Sequence, residues 1–252
     1  MQLKGKRTLI TGAGAGLGRE MALAFAAQGA VIMVSDLSGD AAAKVVKEIA
    51  DKGGTAYANT ADVTREQDVA AMVEQAAADM GGIDCLINNA GIEIIKPVTD
   101  LTEAEWDNLM AINVKGVFLG CKHAAPHLTA SKGNIINLAS AAGIIGMPLL
   151  SLYCASKGAV VQMTKALAQE FKEAGVRVNA LCPMVIGTDM GDRFIERYEK
   201  DYGIPVSDVI IPRQGRLGEP REVADAAVFL ASDAASFING VALPVDNGGT
   251  AG

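Results

Sequence analysis

One feature near the start of this sequence constrains the whole chain: a strand that runs into a glycine-rich turn and leaves it as a helix. Arg7-Thr8-Leu9-Ile10-Thr11 is short, apolar and β-branched. It gives way to Gly12-Ala13-Gly14-Ala15-Gly16-Leu17-Gly18, and a helical pattern with Met21, Leu23, Ala24 and Phe25 follows at once. In that order the turn lets a phosphate approach the backbone, while the helix N-terminus offers unpaired N–H groups and a positive dipole end. The spacing is G-x-x-x-G-x-G, because Leu17 stands where G-x-G-x-x-G would have its last glycine. Alone such a turn says little. Between strand and helix it makes Gly12, Gly14, Ala15, Gly16, Leu17 and Gly18 the expected cradle of a dinucleotide.

The alternation of strand and helix continues. A second strand, 30–35, ends at Asp36, where a carboxylate can accept bonds from both adenosine ribose hydroxyls and repels a 2′-phosphate. Neither Ala15 nor Leu37, its neighbours in the same site, supplies a cation to attract that phosphate. NAD is therefore expected rather than NADP. Helix 40–52, a strand near 55–59, helix 65–80 and strand 83–87 follow. Asp62-Val63 lies at a strand end that could touch the adenine. Asn88-Asn89-Ala90-Gly91 suits a backbone passing beneath a cofactor, although the two asparagines could equally satisfy only their own turn. Thr102, with Glu105 three residues on, caps a long helix expected to run to about 128. Asn113 sits inside its apolar run and needs a partner; it is expected to bend the helix or hold a water. Strand 133–140, helix 151–173 and strand 176–181 come next. Residues 183–218 break the rhythm with repeated Pro and Gly and read as a lid or substrate loop. Helix 220–231 and strand 241–245 finish the chain, and no linker or repeat divides 1–252.

Composition agrees with one large buried parallel sheet under Ala-rich helices: 50% hydrophobic, 4% aromatic, 28 glycines. A net charge of −7 argues against nucleic acid or an anionic membrane as partner. Cys85, Cys121, Cys154 and Cys182 are scattered without metal-ligand spacing, as expected of reduced thiols in a cytoplasmic protein. Residues 1–10 are charged and run straight into a strand, unlike a signal peptide, and no apolar run reaches membrane-spanning length. His123 and His127 share a helix face, but no third ligand is spaced to make a metal site with them.

Tyr153 and Lys157 stand four residues apart, so they share one helix face. A nearby ammonium would lower a phenol's pKa from ~10 and let it exchange a proton near neutral pH, as alcohol–ketone interconversion requires. The pair is too short to decide anything alone. Its context is specific: Thr11-Gly-x-x-x-Gly16-x-Gly18, Asp62, Asn88-Asn89-Ala90-Gly91, Asn113, Ser140, Tyr153-x-x-x-Lys157, Asn179 and Pro183…Thr188 occur in order. Together they resemble the short-chain dehydrogenase/reductase family over essentially the full length. The resemblance implies an α/β fold: a Rossmann-type, doubly wound parallel sheet of seven strands with three helices on each face, in a homotetramer or homodimer. It also implies a catalytic tetrad. Tyr153 is the acid/base, Lys157 lowers its pKa and binds the nicotinamide ribose, Ser140 polarises the substrate oxygen, and Asn113 anchors a water that links Lys157 to solvent. Asn89, Ala90, Gly91, Pro183, Met184, Val185, Ile186 and Thr188 join the cofactor site. Two positions depart from the family pattern: Met184 replaces the usual glycine after Pro183, and Asn247 interrupts the usual Asp-Gly-Gly.

Residues flanking the tetrad are mostly apolar: Ile94, Ile144, Met147, Leu149, Leu150, Met184 and Met190. If they line the pocket, the substrate is a small or medium secondary alcohol or ketone with a hydrocarbon body; several could instead be core. Glu93 either reaches a polar or cationic substrate end or is a solvated loop charge. Competing functions are a 3-oxoacyl-carrier-protein reductase, which the acidic balance and Asp36 disfavour, and a non-catalytic NAD-binding regulator, which the intact tetrad disfavours.

Overall fold

Strands rich in Leu, Ile and Val with no polar alternation can only be satisfied by burial on both faces. In the computed structural model, which describes residues 1–251 (Val209 in its backbone alone), that is how they lie. β1 (Arg7–Thr11), β2 (Val31–Asp36), β3 (Thr55–Thr60), β4 (Cys85–Asn88), β5 (Asn134–Leu138), β6 (Arg177–Pro183) and β7 (Ala242–Val245) form one parallel sheet in the order β3-β2-β1-β4-β5-β6-β7. The edge strand β3 is the one with mostly exposed residues, and it carries the polar sequence TAYANT. Order reverses between β1 and β4, so a crevice opens beyond their C-terminal ends.

Successive side chains leave a strand on opposite sides. Ile10 enters a core with α1 (Gly16–Ala27), α2 (Gly39–Asp51) and the late helix Pro220–Ala231; Leu9 enters the other, with α3 (Glu66–Met80), the 103–131 helical stretch and Ser151–Glu170. Three helices cover each face, as the resemblance implied.

Two stretches differ from expectation. The single long helix is instead α4 (Glu103–Met110) and α5 (Gly116–Ser131), joined by a π-helical turn at Ala111–Lys115. Its cause is Asn113, whose Oδ1 accepts from Ile92 N at 2.9 Å while Nδ2 donates to Ile92 O at 2.9 Å and Ser156 Oγ at 3.1 Å. The extra residue in the turn aims this buried amide at the neighbouring segment. The start of α4 is the capping box read from Thr102 and Glu105. Next comes α6 (Ser151–Glu170), which stops short of 173.

The stretch 183–218, expected to be irregular, is largely helical: α7 (Asp189–Glu196), a π-turn at Arg197–Asp201, α8 (Val206–Val209) and α9 (Ile211–Gln214) precede α10 (Pro220–Ala231). Its pieces are short, and glycines and prolines separate them, so no periodicity builds up in the sequence. They pack on a third apolar cluster of Ile95, Leu150, Val185, Phe194, Tyr198 and Ile210, apart from the two sheet cores.

Candidate active site

The turns after β1 and β4 are locked together. Thr11 Oγ1 accepts from Asn89 N at 3.0 Å and Ala90 N at 3.1 Å, and Asn89 Nδ2 donates to Thr11 O and Gly12 O at 3.0 and 2.9 Å. Gly12 has φ +60°, and a Cβ there would stand 2.8 Å from Ala90 Cα, so only glycine serves. A cavity of about 390 Å³ opens along these turns. Gly12, Ala15, Gly16, Leu17 and Asp36 line one end, Asn89, Ala90 and Gly91 the middle, and Pro183, Met184, Val185, Ile186 and Thr188 the opposite wall.

The first end suits a dinucleotide. Helix α1 starts without a side-chain cap and without an acidic residue in its first turn, so its leading N–H groups are available to an anion. Asp36 also does what the sequence does not reveal: Oδ2 accepts from Gly14 N and Oδ1 from Ser38 N, both at 2.9 Å, which ties the glycine turn to β2. Gly14 and Gly18 shape the turn from behind rather than facing the cavity. Leu37, 73% exposed, and Asp62 and Val63 also lie outside the cavity lining. Asp62 turns back on its own loop, its Oδ1 accepting from Thr64 N and Oγ1 at 2.9 and 2.7 Å, and these bonds hold its carboxyl below the usual range.

At the far end stand Ser140, Tyr153 and Lys157. Ser140 Oγ accepts from Ala142 N at 3.1 Å, an arrangement that fixes the hydroxyl just past β5. Lys157, 4% exposed, lies with Nζ 5.6 Å from the Tyr153 ring centroid and donates to Leu138 O at 2.7 Å. The expected lowering of the tyrosine pKa is not what the polypeptide alone produces. Burial pushes the phenol well above its ordinary value, the Glu93 charge adds to this, and the Ser140 hydroxyl offsets part of it. Burial also brings the Lys157 ammonium down to about 8. Desolvation thus dominates both partners. Asn113 is fully buried behind Gly91, its amide taken up by Ile92 and Ser156, so its visible work is to position the segment that carries Glu93.

Met147, Leu150, Met184 and Met190 form an apolar wall, joined by Phe194 and Arg193 of α7. Those last two are not legible in the sequence, where α7 is too short to build up a helical period among the glycines and prolines. Ile94, Ile144 and Leu149 fall outside the lining. Met184 packs against the turn that carries Asn247: a Cβ on Gly249 would stand 2.5 Å from Met184 Sδ. Asn247 takes φ +51°, a left-handed position that asparagine tolerates. Among the described residues no group of His, Cys, Asp and Glu is arranged to hold a metal, and no helix is long and apolar enough to cross a membrane.

A doubly wound sheet, an anion-ready helix start at the switch point and a Ser/Tyr/Lys group across the same cavity define a dinucleotide-dependent oxidoreductase. Comparison with known proteins agrees. Residues 12–250 match the family model described as enoyl-(acyl carrier protein) reductase. The 2-(S)-hydroxypropyl-CoM dehydrogenase 3 of Xanthobacter autotrophicus is 39% identical, over 99% of this chain and 98% of its own. Meso-2,3-butanediol dehydrogenase of Serratia marcescens is 38% identical over 100% and 97%. The 3-ketoacyl-(acyl-carrier-protein) reductase from Brucella melitensis, solved with NADH, superposes with a TM-score of 0.89 at 39% identity, covering 98% and 99% of the two chains. The chain belongs to the short-chain dehydrogenase/reductase family, and is an oxidoreductase acting on CH–OH groups with a nicotinamide cofactor.

Proposed function

We propose that the protein is an NAD-dependent dehydrogenase, and in reverse a ketone reductase, for a small or medium secondary alcohol with a largely apolar body. The carrying observation is that Ser140, Tyr153 and Lys157 share one cavity with a methionine-rich wall and with Asp36 at its other end. When bound, the nicotinamide supplies or accepts the hydride. Tyr153, with its pKa raised, holds its proton at neutral pH and is ready to give it to a carbonyl oxygen. In the opposite direction Lys157, protonated below about 8, favours the phenolate that takes the alcohol proton. Ser140 donates to the substrate oxygen as charge develops there. Asp36 favours NAD: its carboxylate accepts from ribose hydroxyls and repels a 2′-phosphate.

Four free thiols, of which Cys85, Cys121 and Cys182 are buried, support a reducing, cytoplasmic setting. Trp106 and Phe118, each about half exposed on α4 and α5, support a homotetramer or homodimer. A 3-oxoacyl-carrier-protein reductase is the second reading, favoured by the similarity to the Brucella melitensis enzyme.

The test is NADH formation with NAD and a panel of aliphatic, cyclic and steroidal secondary alcohols, with hydroxyacyl thioesters included. Tyr153→Phe should cut turnover by at least roughly a thousandfold with NAD affinity near normal. Retained turnover would remove Tyr153 from the chemistry, and equal affinity for NADP would refute the role of Asp36.

A further inference from the structure

Glu93 is a polar group of this cavity that the proposed chemistry leaves unused. It follows Gly91-Ile92 on the segment clamped by Asn113, lines the cavity, and lies close enough to Tyr153 for its charge to raise the phenol's pKa. Its Oε1 is fully buried, and among the described residues no group donates a hydrogen bond to it. A buried carboxylate oxygen without a donor bears its desolvation uncompensated, and native structures keep such groups rarely. Of the other side chains that line the cavity, Met147, Leu150, Met184 and Phe194 offer no donor, and Arg193 makes no hydrogen bond to Oε1.

We propose that Glu93 is a specificity-determining residue that hydrogen-bonds a second hydroxyl of the substrate, so that the preferred substrates are diols and their hydroxyketone products rather than mono-alcohols. This rests on the dehydrogenase reading and narrows it: the hydrocarbon body meets the methionine wall, one hydroxyl meets Ser140 and Tyr153, and the other meets Glu93. A hydroxyl suits this corner better than an ammonium. Arg193, on α7, lines the same cavity, and the charge of Arg197 also reaches Glu93, so the positive charge already there disfavours a cation. Burial moreover brings the Glu93 carboxyl up to about 7, which leaves a mixture of acid and carboxylate at neutral pH. A hydroxyl donates to the carboxylate and accepts from the acid, so it serves both forms.

The experiment compares kcat/KM for matched pairs that differ by one hydroxyl, 2,3-butanediol with 2-butanol and 1,2-cyclohexanediol with cyclohexanol. It is run in the native protein, in Glu93→Leu and in Glu93→Gln. The native protein should favour the diol by roughly tenfold or more. Glu93→Leu should erase that ratio, and Glu93→Gln, which keeps a donor and an acceptor, should retain most of it. A native ratio near one, or a Glu93→Leu ratio equal to the native one, overturns the proposal while leaving the dehydrogenase reading intact. Should no member be turned over, the dehydrogenase reading for these substrates fails separately. Specificity is then read from the rise in Tm that each compound gives the NAD-loaded protein, and a diol that stabilises no better than its mono-alcohol overturns the role of Glu93.

Discussion

Gly18→Ala tests how the dinucleotide turn is built. Gly18 lies in the first turn of α1, where alanine would ordinarily be favoured by about 1 kcal/mol. Here a methyl group would overlap Gly12 O outright and stand 2.5 Å from Asn89 Nδ2 and 2.9 Å from Ala13 Cα. Two of these neighbours are backbone that cannot step aside, and the third is the amide that clamps Thr11 O and Gly12 O. Overpacking of this kind costs ~1–3 kcal/mol. Losing both Asn89 bonds adds ~1–3 kcal/mol. Set against the helix gain, a net loss of about 1–5 kcal/mol is expected. Urea unfolding of the cofactor-free protein measures it, and calorimetric titration with NAD should show at least a tenfold weaker Kd, because the cradle itself is displaced. Gly16→Ala is the control. Its Cβ would meet nothing within 4 Å, so only the strain of φ +51° applies and stability should fall by no more than ~1–2 kcal/mol. A Gly18→Ala protein within 0.5 kcal/mol (about the scatter of a neutral surface change) of the parent, binding NAD normally, would refute the packing account.

Alkaline pH should destabilise the protein through its buried thiols. Burial raises Cys85 and Cys121 to about 12 and Cys182 to about 11. Their stabilisation is whole below the unfolded thiol value of ~8.5 and is lost as pH rises toward the folded values. Lys157, lowered to about 8, acts in the opposite sense between 8 and ~10.5, but it is one group against three. Between pH 7.5 and 10 the unfolding free energy from urea titration should fall about 2 kcal/mol less in Cys121→Ala, and parallel losses would sink the idea. Arg7→Met should cost ~2–3 kcal/mol, since it strips Asp84 of side-chain bonds at 2.7 Å to each carboxylate oxygen. Burial alone would raise the Asp84 carboxyl, yet Arg7 holds it low, so the parent loses this stability as pH falls through the acid range. An Arg7→Met protein with an unchanged acid-unfolding midpoint would count against the pairing.

Where function depends on local order, the sequence was legible. The β1 turn, Asp36, the Thr102 capping box and the Tyr153/Lys157 face are set by residues a few positions apart, and spacing conveys them. What it could not convey depends on distant neighbours. Asn113 was readable as a buried amide in need of a partner, but the partner, Ile92, approaches only after folding, and the π-turn follows from that meeting. The Tyr153 pKa is hidden for the same reason: a helix face shows the ammonium, whereas desolvation depends on everything stacked around both groups. Helix α7 was lost among glycines and prolines, and with it Arg193 and Phe194. Strand-end position fixes the backbone at Leu37, Asp62 and Val63 but not the side chains, and Asp62 turns back on Thr64.

The position of β1 governs how this chain can reach its native state as it leaves the ribosome. β1 lies inside the sheet, between β2 and β4, and its Arg7 finds Asp84 only 77 residues later. Closing a loop of that length costs about 4 kcal/mol in its logarithmic part alone. Until β4 emerges, β1 has only β2 beside it, and the flank that will bond to Cys85, Leu86 and Ile87 stays open. Nascent chains arrested before and after β4 should therefore differ sharply in their need for a chaperone, with the apolar Leu9-Ile10 edge as the surface it shields.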